Sequence, residues 1–284
     1  MPTAASPLQE IVSVFGQPVA GNPTQYMMEK AFVHHGLDWR YLTVEVAPES
    51  LGDAVRGMRA MGFRGGNLTT PHKVAVIEFL DRLTEPASLM GAVNCILREG
   101  DELVGDNTDG RGFLKSLREI TDPKDQRVVV LGAGGAARAI VVEVALAGAA
   151  HITIVNRSED RGSQLVDALA DKLSTQLEFV LWHGDFQVPA EASILIQATS
   201  IGLGDDEARV SVALESFRGD LLVADVIPNP PDTRLLRDAR QRGCTTIDGL
   251  GMLVNQALIN FRLWTGHDAD AAVMRDALEE FLEV

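Results

Sequence analysis

The sequence predicts an α/β protein of two domains, and three observations carry that prediction. Short apolar runs alternate with helix-length amphipathic stretches along almost the whole chain, the pattern of strands joined by crossover helices in largely parallel sheets. A glycine-rich turn, Gly132-Ala-Gly-Gly-Ala136, stands between the apolar run Val128–Leu131 and the helix-like Ala136–Ala147. That strand–turn–helix context marks a doubly wound Rossmann-type domain. A polar, proline-containing break at Thr121-Asp-Pro-Lys-Asp-Gln126 separates this unit from the half before it. The 284 residues suffice for two modest cores.

The elements follow in order. Ile11–Phe15 reads as a strand, Thr24–His35 as a helix stopping near Gly36, Tyr41–Val46 as a strand and Ser50–Met61 as a helix stopping near Gly62. Gly65–Thr70 is strand-like with a polar end, and Lys73–Leu83 reads as a helix. Asn94–Arg98 and Leu103–Gly105 form a hairpin about Glu99-Gly-Asp101. Beyond the break, Val128–Leu131, His151–Val155, Val180, Ile194–Ile196 and Leu222–Val226 are candidates for buried strands. Gly249–Trp264 and Ala271–Leu282 are helices; the last carries Val273, Ala277, Leu278 and Phe281 at helical spacing and needs a surface to cover.

The glycine turn has a ligand chemistry. Gly132 permits the tight turn and Gly134 lets backbone N–H groups approach a pyrophosphate, while small Gly135 and Ala137 allow the helix to pack closely on the strand. The helix N-terminus adds orphan N–H groups and a positive dipole end, so Gly132, Ala133, Gly134, Gly135 and Ala136 are dinucleotide-binding candidates. The tip of the next strand reports which dinucleotide. An acidic residue there holds a ribose 2′-hydroxyl, whereas Arg accommodates a 2′-phosphate. This chain has Asn156-Arg157-Ser158, with Arg161 one helical turn on, and NADP is the expected cofactor. The structural alternative is a solvated helix face beside Glu159 and Asp160.

Composition narrows the partners. A net charge of −15 argues against nucleic acid and anionic membranes, and requires any anion site to be built locally. No apolar run approaches membrane length, and the start Met1–Glu10 lacks the charged and apolar regions of a signal peptide. Cys95 and Cys244 are far apart without metal-type spacing, and the six histidines form no ligand pattern. A cytoplasmic protein without a metal is expected, as monomer or homodimer.

Three segments of the first half place polar groups where strands end: Asn67-Leu-Thr-Thr-Pro-His-Lys73, Gly91-Ala-Val-Asn94 and Gly105-Asp-Asn-Thr-Asp-Gly-Arg-Gly-Phe113. Ligands of open α/β sheets bind outside the carboxyl ends of strands. Reducing a ketone requires a proton donor at its oxygen, and Lys73 with Asp109 is the candidate proton-transfer pair. Asn94 and Thr69 can hydrogen-bond substrate hydroxyls without adding charge. Each also has a structural reading: Lys73 as a surface lysine behind Pro71, Asp109 as the cap of the helix starting at Gly110, Asn94 as a turn residue.

These residues resemble the shikimate dehydrogenase family, including its quinate/shikimate members, over nearly the whole chain. The motifs are Asn67-Leu-Thr69-x-Pro71-x-Lys73, Gly91-Ala-Val-Asn94, Asn107-Thr-Asp109-x-x-Gly112-Phe113, the glycine turn with Asn156-Arg157-Ser158-x-x-Arg161, Ala198-Thr-Ser-x-Gly202, and Asp248-Gly-Leu-Gly-Met-Leu253-x-x-Gln256-Ala257. The resemblance implies that Lys73 is the general acid/base and Asp109 its partner, and that Thr69, Asn94 and Gln256 hold the substrate. Thr199, Val226 (by its backbone) and Gly249 lie along NADP. It implies a discontinuous substrate domain of residues 1–115 plus 247–284, and an NADP domain of 116–246. The expected reaction interconverts a ring hydroxyl and ketone of shikimate/3-dehydroshikimate, in the shikimate pathway of aromatic amino acid biosynthesis, or of a closely related cyclic polyol acid. Alternatives are a paralogue acting on quinate, an amino-shikimate or another compact polyol, and a non-catalytic NADP-binding sensor.

Two departures fall on one end of the expected substrate. The family's Ser-x-Ser or Ser-x-Thr, whose hydroxyls bind the substrate carboxylate, is matched by Asn22 and Thr24. Its substrate-facing Tyr, three residues after the late-strand Asp, is matched by Pro228 after Asp225; proline has neither a hydroxyl nor a backbone N–H.

Overall fold

The computed structural model describes residues 8–284. Met1–Pro7, on which the signal-peptide reading largely rests, lie outside the described residues. The chain forms two compact units. The first takes the residues up to Thr108 and returns with Ala257–Val284; the second is the continuous segment Asp109–Gln256.

In the first unit, β1 (Glu10–Gly16), α1 (Thr24–His34), β2 (Trp39–Glu45), α2 (Leu51–Ala60) and β3 (Gly65–Leu68) alternate as the sequence pattern demands. Then come α3 (His72–Ala75), β4 (Arg82–Leu83), α4 (Glu85–Met90), β5 (Cys95–Glu99) and β6 (Glu102–Asp106). The sheet order is β2-β1-β3-β5-β6-β4. It is mixed rather than largely parallel, because β5 runs antiparallel to both β3 and β6. The expected helix over Lys73–Leu83 breaks up: α3 passes into a 3-10 turn at Val76–Phe79, and Leu80 is extended before β4 pairs with β6. The cause is packing. Gly105 on β6 leaves a notch in which a Cβ would stand 2.6 Å from Leu80 and 2.7 Å from Leu83, so those side chains seat on the sheet.

The second unit opens with α5 (Asp109–Arg118) and continues β7 (Arg127–Leu131), α6 (Gly135–Leu146), β8 (His151–Asn156), α7 (Glu159–Ala170), β9 (Gln176–Leu181), β10 (Ile194–Gln197), β11 (Leu222–Asp225), α8 (Arg234–Gln241) and β12 (Thr245–Ile247). Its sheet, in order β12-β11-β10-β7-β8-β9, is parallel throughout. One face is covered by an apolar cluster that includes Val129, Leu131, Leu195, Val212, Val223 and Leu236. The helix α9 (Leu250–Thr265) crosses the boundary between units at residues 256/257, and α10 (Ala271–Leu282) completes the first. In the first unit Phe261 of α9 is fully buried with its ring 5.5 Å from that of Phe32, and Trp264 Nε1 donates to Ile96 O at 2.9 Å. On α10, Met274, Ala277 and Leu278 are buried while Phe281 is partly exposed.

The unit boundaries differ from the expected ones at 115/116 and 246/247. Residues 109–115 and 247–256 go with the second unit, because glycines let its helices approach closely. A Cβ at Gly110 would stand 2.3 Å from Ala139 O of α6, and one at Gly112 would stand 2.6 Å from Met252 O of α9.

Candidate active site

In the first unit, the polar residues gather at the ends of β3 and β5. Thr69 follows β3, and its N–H donates to Phe15 O at 2.9 Å. His72 is buried; its Nε2 lies 2.7 Å from the Val46 carbonyl, an acceptor only, so Nε2 carries the proton and donates. Lys73 follows in the first turn of α3, partly buried, and its carbonyl accepts from Val93 N at 2.7 Å. That bond joins the lysine's backbone to the residue before Asn94. Asn94 is buried, and its carbonyl accepts from Leu68 N at 2.9 Å. Lys73, Thr69 and Asn94 therefore share one sheet end.

Beside them is a cleft of about 430 Å³, lined by the loop Pro18–Pro23 and Thr69. Among the described residues its lining carries no charged side chain. Asn22 lies on it, but Asn22 Oδ1 accepts from Thr24 N at 2.9 Å and so satisfies the first turn of α1, where Pro23 offers no side-chain cap. Thr24 is only 4% exposed and does not line the cleft. Of the two residues expected at the carboxylate end, only Asn22 faces this opening.

In the second unit, Gly132 has φ +116°, and a Cβ there would stand 2.9 Å from Ala198 O, so the turn depends on glycine. Gly134 and Gly135 are different. Both are exposed, and a Cβ on either would meet nothing within 4 Å. The close helix–strand packing expected of Gly135 is absent; Ala137, fully buried, does that work. The two glycines open α6 with no side-chain cap, leaving bare N–H groups beside open space. This is a cradle that a side chain would fill, and it fits the pyrophosphate of NADP. At the end of β8, Asn156 Nδ2 donates to Ser158 O at 2.9 Å, and Ser158 Oγ caps α7 by accepting from Arg161 N at 3.4 Å. Arg157 and Arg161 are exposed, and no ion pair among the described residues engages either. Their guanidinium groups suit a 2′-phosphate. Ser158 acts as a cap.

Thr199, Val226 and Gly249 mark the ends of neighbouring segments. Thr199 Oγ1 accepts from Ile201 N at 3.1 Å, and Val226 N donates to Gln197 O at 3.1 Å. A Cβ at Gly249 would stand 2.2 Å from Ile227 O, so Gly249 lets its segment touch the loop after β11. That loop hangs on Asp225, a residue the sequence reading used only as a landmark. Asp225 accepts from Thr233 Oγ1 at 2.8 Å, Ile227 N at 3.1 Å and Gln197 Nε2 at 3.3 Å. Burial pushes its carboxyl up to about 6, partly opposed by those bonds. Asp109 opens α5, and Gln256 is buried on α9 where Gly112 admits it. Lys73 thus belongs to the first unit and Asp109 to the second. No group of three His, Cys, Asp or Glu among the described residues is placed to hold a metal ion.

The comparisons with known proteins agree along the chain. Residues 14–96 match the shikimate dehydrogenase substrate binding domain, 115–232 the shikimate / quinate 5-dehydrogenase model, and 249–279 the shikimate 5'-dehydrogenase C-terminal domain. The shikimate dehydrogenase (NADP(+)) of Methanopyrus kandleri is 42% identical over 96% of each chain. The ligand-free 5-ketofructose reductase of Gluconobacter sp. strain CHM43 has a TM-score of 0.95 at 50% identity, covering 97% of this chain and 99% of that one. A shikimate dehydrogenase in complex with NADP+ has a TM-score of 0.88 at 34% identity, covering 96% and 95%. The chain belongs to the shikimate dehydrogenase family.

Proposed function

We propose that the preferred substrate of this NADP-dependent oxidoreductase is a compact neutral keto-polyol, of the class of 5-ketofructose, rather than shikimate. The carrying observation is the cleft at Pro18–Pro23 and Thr69. The family resemblance assigns this end to the substrate carboxylate through two hydroxyls, yet Thr24 is withdrawn and only the Asn22 amide remains on the lining. Pro228 supplies no donor either. Losing one hydrogen bond to a charged group costs about 1.5–3 kcal/mol, roughly one to two decades in affinity. A six-carbon diketone has no carboxylate to lose, and the 50% identity to a 5-ketofructose reductase supports that class.

The roles follow from the residues. NADPH, when bound, supplies hydride to a carbonyl carbon. Lys73 holds the proton that passes to the carbonyl oxygen, with Asp109 as its carboxylate partner. Thr69, Asn94, Asn22 and Gln256 orient hydroxyls. The N–H groups of Gly132–Ala136 hold the pyrophosphate, Arg157 and Arg161 the 2′-phosphate, and Thr199, Val226 and Gly249 border the rest of the cofactor. The two buried cysteines, neither in a disulfide, fit a reducing, cytoplasmic setting.

A second reading, shikimate itself, is favoured by the 42% identity to an NADP(+) shikimate dehydrogenase. Initial rates with 5-ketofructose, 3-dehydroshikimate and 3-dehydroquinate, each with NADPH and NADH, separate the two. The neutral diketone with NADPH should give kcat/KM at least about tenfold above the acids. Asn22→Ser with Pro228→Tyr should raise kcat/KM for 3-dehydroshikimate. A low KM for 3-dehydroshikimate in the unaltered enzyme overturns the preference.

A further inference from the structure

Asn94 lies in a chain of buried hydrogen bonds that reaches from β2 to α9 within the first unit. On one side, the fully buried Tyr41 hydroxyl donates to Asn67 Oδ1 at 2.7 Å, and Asn67 Nδ2 donates to the Asn94 carbonyl at 2.9 Å. Burial holds the Tyr41 phenol well above its ordinary range, so the hydroxyl remains a donor. A donor at Oδ1 settles which way the Asn67 amide faces: carbonyl to Tyr41, amino group to Asn94. On the other side, Thr108 N donates to Asn94 Oδ1 at 2.8 Å. The Thr108 hydroxyl lies 2.8 Å from Asn260 Oδ1 and 3.2 Å from Asn94 Oδ1. It has one proton to give, and the nearer acceptor, on α9, takes it. Asn94 N also donates to Asp106 O at 3.1 Å.

Two of these links hold Asn94 at different atoms: Asn67 holds its backbone carbonyl, and Thr108, itself tied to Asn260 through its hydroxyl, holds its side-chain oxygen. Apolar side chains would fill the same buried positions without the risk of an unsatisfied polar group. What the polar chain adds is direction. With Asn94 Oδ1 committed to Thr108, the side chain turns Nδ2 the opposite way.

We propose that Tyr41 and Asn260 are positioning residues for substrate binding. Acting through Asn67 and Thr108, they clamp Asn94 from two sides so that it meets a substrate oxygen with its N–H rather than its carbonyl. The inference rests on the reading of Asn94 as a substrate contact.

Two near-isosteric deletions test it in the full-length enzyme, with NADPH and its best ketone. Tyr41→Phe removes one clamp's hydroxyl, and Thr108→Val removes the link to Asn260. Each should raise KM about three- to tenfold, on the scale of one misplaced neutral hydrogen bond. In each, kcat should stay within about twofold and the NADPH Kd should be unchanged; the double variant should be worse than either. Thr108→Ser, which keeps the hydroxyl, should bring KM back towards that of the parent. The proposal is overturned if KM stays put while only Tm falls, or if kcat and the NADPH Kd move together with KM. Should Thr108→Val fail to fold, Tyr41→Phe alone decides, since the ring that packs the core remains. Asn94→Ala separates the two levels. If it raises KM and the clamp variants do not, only the clamp fails; if it too leaves KM unchanged, the substrate contact fails with it.

Discussion

Asp225→Asn replaces a carboxylate that burial at the end of β11 pushes from 3.8 up to about 6. Below 3.8 the group is neutral in both the folded and the unfolded chain. Between 3.8 and about 6 the unfolded chain gives up its proton while the folded one keeps it, so stability falls as pH rises through this window and is level above it. At about 1.4 kcal/mol per pH unit, the difference corresponds to about 3 kcal/mol. Asn keeps the shape of the site: its oxygen accepts from Ile227 N and Gln197, and Thr233 can turn its hydroxyl to accept from Nδ2. Urea unfolding of the two proteins, followed by circular dichroism from pH 4 to pH 8, reads the effect as a difference between paired curves. Asn should gain on Asp by about 2.5 kcal/mol between pH 4 and pH 7, the rest of the difference lying below pH 4. A difference that does not change with pH refutes the reasoning, and so does one that grows in favour of Asp.

Other outcomes follow from the two sites. Lys73→Ala should lower kcat about 10²-fold while leaving the NADPH Kd unchanged in a fluorescence titration; near-normal kcat removes Lys73 from proton transfer. Arg157→Ala should weaken NADPH about tenfold and NADH hardly at all, and the difference should shrink as salt rises, because the side chain is exposed. Gly134→Ala has negative φ and open space around its new methyl, so Tm should hold while the NADPH Kd rises tenfold or more; an unchanged Kd means that the cradle does not take the pyrophosphate.

What could be read in advance was local. The glycine turn, β7, α6 and β8 are declared within about thirty residues of sequence, and the structure has them there. The segment after Lys73 shows the opposite case. Val74 to Leu83 carries an apolar spacing that suits a helix, but Leu80 and Leu83 settle over Gly105, more than twenty residues on, and that distant notch prevails. The short α4 has no apolar periodicity to announce it, although Thr84, Pro86 and Gly91 are its cap, first-turn proline and left-handed stop. The charged α8 gives only a weak helical pattern, because its apolar face is only Leu235, Leu236 and Ala239. In the site, motif residues were legible, but their supports were not: Tyr41 meets Asn67 across 26 residues and Thr108 meets Asn260 across 152. Nothing in a window of sequence links such pairs.

The crossing of α9 from one unit to the other sets an order of events during synthesis. The second unit is one uninterrupted stretch, ending at Gln256, and can close as soon as that residue clears the ribosome. The first unit cannot, although most of it is made earlier. Its core lacks Phe261, and its sheet lacks the Trp264 bond to Ile96, until the last turns of α9 arrive. At typical elongation rates the first hundred residues wait roughly ten to thirty seconds for them. During that interval the Gly65 seat of the Trp264 indole, and the face of α1 that receives Phe261, are apolar surface open to any passing chain. The half of the protein that is made first is therefore the half that is completed last.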